Sequence, residues 1–140
     1  MARIKIQMPD KYLFTTQIKV RITDINYGNH LGNDSLLSII HEARMRFLKS
    51  INYSEDNVEG MVIMLADAAI IYKSQAFYGD ELTIEIGISE ISKKSCDLYY
   101  HVTKADNKTV ALCKTAIVFY DYKNQKPARI PAGFLEKLDG

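Results

Sequence analysis

Asp24, Asn26, His30 and Asn33 crowd into one polar stretch, Thr23-Asp24-Ile25-Asn26-Tyr27-Gly28-Asn29-His30-Leu31-Gly32-Asn33, that feeds directly into a helical pattern. A helix start presents backbone N–H groups with no intrahelical partner, together with a partial positive charge. Aimed at a reacting carbonyl, such donors polarise it and stabilise the oxyanion that forms on attack. A carboxylate, or a water held beside that carbonyl, would complete a hydrolytic site. The same residue types also suit turns and helix caps, because Asn, Asp and Gly tolerate the conformations a tight loop demands. Spacing alone leaves both readings open.

Three further places hold charge where chemistry is conceivable. Glu42 lies in the helical segment and could act as an acid, or pair with Arg46 four residues on. Asp67 interrupts a long apolar segment, so its carboxylate must be paired, protonated or turned to a cleft. Lys93 and Lys94 share a turn, where lysines serve as point charges for phosphate or simply as solvated surface. Cys96 and Cys113 sit in separate strand-like segments without the close spacing of a redox pair or metal site. The histidines, His30, His41 and His101, make no zinc pattern, and the seven glycines make no phosphate-cradling loop, so no metal or nucleotide cofactor is expected.

The elements that must position these groups follow from hydrophobic period. Phe14 to Ile22 alternates, with Ile18, Val20 and Ile22 on one face, and reads as a strand. From Asp34 to about Lys49, Leu36, Ile40, Ala43 and Phe47 recur at helical steps, Leu37 and Leu48 widening the stripe, with Asn33, Asp34 or Ser35 as the cap. Met61 to Ser74 reads as a long strand covered on both faces, although a buried helix suits its first half nearly as well. Leu82 to Ile91, Cys96 to Val102 and Thr109 to Tyr122 are strands joined by turns at Ser92-Lys93-Lys94 and Ala105-Asp106-Asn107-Lys108. A short helix from about Ala132 to Leu138 closes the chain. The order is strand, helix, then four strands in hairpin succession: an α+β domain over 1–140 whose antiparallel sheet curls around one long helix. One helix cannot bury all the apolar surface of Met61–Tyr72 and Thr109–Tyr120. A homodimer or homotetramer is therefore expected.

Composition sets the outer bounds. Among 140 residues, 18 Lys+Arg against 17 Asp+Glu give a net charge of +1, too little basic excess for a nucleic-acid binder. The longest apolar run, Met61 to Ala66, is far short of the roughly 20 residues a membrane-spanning helix needs. Met1 to Pro9 lacks an apolar export signal, so a cytoplasmic protein is expected.

The loop from Arg21 to Asn33, followed by His41-Glu42-Ala43-Arg44, resembles the hotdog-fold thioesterases of the 4-hydroxybenzoyl-CoA thioesterase family. Ile71-Tyr72, Phe77-Tyr78-Gly79-Asp80-Glu81-Leu82, Ile91-Ser92-Lys93-Lys94-Ser95 and Ile130-Pro131 continue the likeness over nearly the whole chain. The resemblance implies a hotdog fold and hydrolysis of an acyl-CoA thioester, with sites at a subunit interface and coenzyme A entering only as part of the substrate. It places Asp24, Asn26, His30 and Asn33 in the catalytic loop, and Lys93 and Lys94 near coenzyme A phosphates. Asp67 becomes a candidate for the substrate cleft. Asn26 stands where many relatives carry the catalytic aspartate, and an amide can orient water or hold the acyl carbonyl but cannot act as nucleophile or base. Asp24 would then orient or activate the water, assisted by Asn26 and His30. The same fold also hosts enoyl-thioester hydratases and dehydratases, and acyl-CoA-binding proteins without catalysis.

Overall fold

The computed structural model describes residues 1–139. Alternation writes the sheet. In β3 (Glu81–Ser89) the side chains of Leu82, Ile84 and Ile86 are fully buried, and in β4 (Ser95–Lys104) those of Cys96, Leu98, Tyr100 and Val102. In β5 (Lys108–Asp121) Cys113, Thr115, Ile117 and Phe119 point to the same interior. The interior face is closed by the helix α1 (Asn33–Ser50), whose Leu36, Ile39, Ile40, Ala43, Phe47 and Leu48 are buried. Burial pushes the Cys96 and Cys113 thiols up to about 12, as expected of packed, unreactive cysteines.

With β1 (Phe14–Lys19), β2 (Val62–Tyr72) and the two-residue β6 (Lys126–Pro127), the strands form one antiparallel sheet of order β1-β3-β4-β5-β2, β6 adding to β5. It curls around α1 in the hotdog arrangement, and α2 (Ala132–Asp139) packs its buried Phe134 edge-on to Phe119. The expected hairpin succession does not hold for β2. This strand pairs with β5 at the far edge, so residues 73–80 carry the chain across the end of the sheet to β3.

Several local expectations are also corrected. The first strand stops at Lys19, and a short 3₁₀ turn, Ile22–Asp24, leaves Ile22 69% exposed. The helix cap is Gly32, whose extended backbone starts α1 without any side-chain hydrogen bond, rather than Asn33, Asp34 or Ser35. Leu37 faces outward, and Ile39 takes the interior flank instead. Residues 62–72 are strand throughout, but Met64 and Leu65 are exposed, so the single chain does not cover both faces.

Arg46 ties α1 to the first strand, donating to Thr16 Oγ1 at 2.9 Å and Gln17 O at 2.8 Å while binding Glu42 at 2.8 Å. Glu42 is thus paired with Arg46 on an exposed face of α1. A second arginine, Arg44, is buried among apolar side chains. Its guanidinium bonds Glu55 at 2.9 Å and the Tyr100 hydroxyl at 3.2 Å, and that hydroxyl lies 2.8 Å from Thr115 Oγ1. No helix among the described residues is long and apolar enough to cross a membrane.

Candidate active site

The loop 24–33 is a tight structure pinned at both ends. Asn26 N–H donates to His30 O at 2.9 Å, and Asn29 N–H to Asn26 O at 3.0 Å. Asn29 has a positive φ of 65°, a conformation Asn adopts more readily than most residues. Leu31 N–H reaches Ala76 O at 2.8 Å, so the crossing segment 73–80 holds the loop against the end of the sheet. Gly32 N–H donates to Asp24 O at 2.9 Å, which fixes the direction in which α1 begins.

Between this loop and the crossing segment lies a cavity of about 580 Å³. Asn26, His30 and Asn33 line one wall, with Leu31, Gly32 and Leu36; Tyr72, Lys73, Ser74 and Gln75 line the other. Three of the four residues expected in the catalytic loop therefore meet at one place. The Tyr72 hydroxyl donates to Asn33 O at 3.2 Å and bridges β2 to the helix start. Partial burial, with Cys113 and the Asp34 carboxylate also contributing, pushes the Tyr72 phenol above its ordinary range.

Asp24 is placed differently from expectation. It is 4% exposed, and its carboxylate accepts Arg21 N–H at 2.8 Å and the Arg21 guanidinium at 3.3 Å. This closes the 3₁₀ turn, and the side chain is not part of the cavity wall. Among the described residues, no Asp or Glu lines the cavity.

Asp67 is also elsewhere. A β-bulge after Leu65 turns it toward β5, where it accepts Lys114 Nζ at 2.9 and 3.0 Å and Ala116 N–H at 2.9 Å. Thr115 faces the interior, so its neighbours Lys114 and Ala116, and Asp67 with them, belong to the face turned away from α1. The hydrogen bond from Lys114 holds the Asp67 carboxyl below the usual carboxylate range. Lys93 and Lys94 are exposed in the β3–β4 turn, where Lys94 O accepts Phe119 N–H. The cavity residue Val110 is nine positions from Phe119 along β5, roughly 30 Å at strand spacing. Within one chain these lysines and the cavity stand at opposite ends of the sheet.

Reading the sequence alone missed Tyr72, Lys73, Ser74 and Gln75 as cavity residues. No local signal marks them, because they reach the loop only through the edge position of β2.

The family profile of the thioesterase-like superfamily matches residues 20–138, nearly the whole of this fold and all of the cavity. The chain belongs to the thioesterase-like superfamily. It is 28% identical over 126 residues to the long-chain acyl-CoA thioesterase FadM of Escherichia coli (strain K12), covering 89% of this chain and 96% of that one. Its fold is similar to that of Slr0204, a 1,4-dihydroxy-2-naphthoyl-CoA thioesterase from Synechocystis, with a TM-score of 0.82 at 23% identity over 90% of this chain and 95% of the other. It is similar as well to SAV2348 of Staphylococcus aureus, a structure in complex with CoA, with a TM-score of 0.83 at 18% identity over 96% of this chain and 86% of the other. At these identities the two structures bear on the hotdog fold of this superfamily member and not on its substrate.

Proposed function

We propose that this superfamily member hydrolyses an acyl-CoA thioester to the free acid and coenzyme A. The observation that carries the reading is the cavity at the start of α1, where Asn26, His30 and Asn33 converge beside first-turn N–H groups that have no intrahelical partner, that of Asp34 donating to Asn33 Oδ1. A thioester carbonyl entering there meets donors placed for the charge that develops on its oxygen. FadM and the CoA complex of SAV2348 favour an acyl-CoA as the ligand. Leu31, Leu36, Ala76 and Val110 offer apolar surface to the acyl group.

The working unit in this reading is a homodimer, or a tetramer built from it. β2 has β5 on one side only, and the exposed run Met64–Ala68 lies along its other edge. An exposed edge strand of this length invites pairing. Antiparallel pairing of β2 with its copy about a two-fold axis sets the Tyr72 end of one beside the Val62 end of the other. Ile63 is opposite Phe119, whose N–H binds Lys94 O, so the partner subunit's Lys94 comes toward this cavity. Lys93 and Lys94 would then meet the phosphates of a coenzyme A bound across the interface, while Asp67 remains outside the substrate cleft.

Thiol release from short, long and aromatic acyl-CoAs tests the reading. Saturable release from one class is the expected result; no release from any of them would overturn it. A second reading, binding without turnover, is favoured by one observation, the absence of a carboxylate from the described cavity wall. Retention of coenzyme A without any thiol release would select it.

A further inference from the structure

The cavity wall holds the amides of Asn26, Asn33 and Gln75 and one imidazole where a carboxylate would ordinarily take a proton from water. We infer that His30 is the general base of the hydrolysis and that Asn26 serves as an oxyanion donor. This rests on the thioesterase reading and assigns the proton transfer within it.

The Asn26 amide is oriented by its own loop. Its Oδ1 accepts Gly28 N–H at 2.9 Å. A backbone N–H needs an acceptor, so the oxygen end of the amide faces Gly28, and Nδ2 is left as the end that can serve a ligand. An amide presenting only N–H can hold a developing oxyanion and cannot receive a proton.

His30 is the neighbour that can. Its Nδ1 lies 3.4 Å from Leu31 O, a long contact that suits an N–H on this nitrogen and leaves Nε2 with its lone pair. The two side chains pack closely over Gly28. A Cβ at that position would stand 3.1 Å from His30 Nε2 and 3.3 Å from Asn26 Oδ1. The other titratable or charged groups around the site are Tyr27 on the same loop, Tyr72 and Lys73 at the end of β2, and Asp34 in the first turn of α1. Lys104 reaches the same region through its bond to Gln75 O. Asp34 is the competing base: its Oδ1 folds back to 2.7 Å from where a Gly32 Cβ would be, although it does not line the cavity. Asp24 is committed to Arg21.

The step balances without a further reactant. Water oxygen bonds to the thioester carbon as His30 Nε2 takes one water proton, and the carbonyl π pair moves to the oxygen held by Asn26 Nδ2 and the helix-start N–H groups. Collapse re-forms the carbonyl and breaks the C–S bond. The departing sulfur takes the proton from the imidazolium, giving the acid and the free thiol.

The test is kcat/KM against pH for four proteins: wild type, His30→Gln, Asn26→Asp, and Asn26→Asp combined with His30→Gln. A general base contributes about 10²–10⁴-fold, so His30→Gln should lose that much and lose the acid limb of the profile. Asn26→Asp puts a carboxylate in the cavity, so its acid limb should move to lower pH. Adding His30→Gln to that background should then cost less than about tenfold, because a base is already present. Asp34→Asn should keep the acid limb and cost less than about tenfold. Wild-type rates in His30→Gln, or collapse in Asp34→Asn with His30→Gln intact, would overturn the assignment. A wild type without thiol release would instead refute the thioesterase reading on which it rests.

Discussion

Two polar groups lie along α1, and they are built in opposite ways. At mid-helix, His41, Glu55, Arg44, Tyr100 and Thr115 form a closed set in which each member bonds the next, with Arg44 and Tyr100 buried. Among the described residues no buried side-chain nitrogen or oxygen lacks a hydrogen-bond partner. At the helix start, Asn26, His30 and Asn33 use only part of their hydrogen-bonding capacity on the protein and turn the remainder to a cavity. The closed set fixes how helix and sheet meet, since a buried polar group is costly unless its partners are all in place. The open set has capacity to spare for a ligand. Stability should depend on the first group and catalysis on the second.

The largest expected effect is on the closed set. Arg44→Met removes the buried guanidinium that joins Glu55 to the Tyr100 hydroxyl, leaving them only His41 and Thr115, and urea unfolding should show a loss of about 3 kcal/mol, the upper end for removing one partner of buried hydrogen bonds. The open set should behave the other way. Asn26→Ala should lower kcat about 10²–10³-fold, the cost of one oxyanion donor, while its unfolding midpoint stays near wild type. If either substitution moved both quantities together, the division between the two groups would fail.

A smaller effect concerns the interface. Lys93→Ala with Lys94→Ala should raise KM for an acyl-CoA several-fold, more so at low salt, and leave KM for an acyl-N-acetylcysteamine unchanged because that substrate carries no phosphate. The smallest concerns Asp67. Its depressed pKa means the bond to Lys114 contributes fully above the ordinary carboxylate range and fades as pH falls through the lowered value. The residue is 54% exposed, so solvent screening should hold the loss in Asp67→Asn below about 1 kcal/mol at neutral pH, vanishing in acid.

Period carried much of the fold. Leu82, Ile84 and Ile86 announced β3, and Leu36, Ile40, Ala43 and Phe47 announced the buried side of α1. Arg44 was not read as buried, although Ile40, Arg44 and Leu48 fall at steps of four and carry that signal. Strand order was not legible, because alternation fixes a strand's face and not its neighbour; only the crossing segment 73–80 shows that β2 lies at the far edge. That same crossing brings Tyr72, Lys73, Ser74 and Gln75 to the cavity, so half of the wall was hidden with it. Asp24 was legible as an acid in the loop but not as a turn-closing partner of Arg21, since a 3₁₀ turn of this length leaves no period to read.

The most direct measurement is thiol release from an acyl-CoA panel by the wild type and by Asn26→Ala at matched folded concentration. Saturable release by the wild type, falling at least a hundredfold in the variant while its unfolding curve is unchanged, is the predicted result. Equal rates in the two proteins, or no release by either with coenzyme A still bound, would contradict the claim that the cavity at the start of α1 is a hydrolytic site.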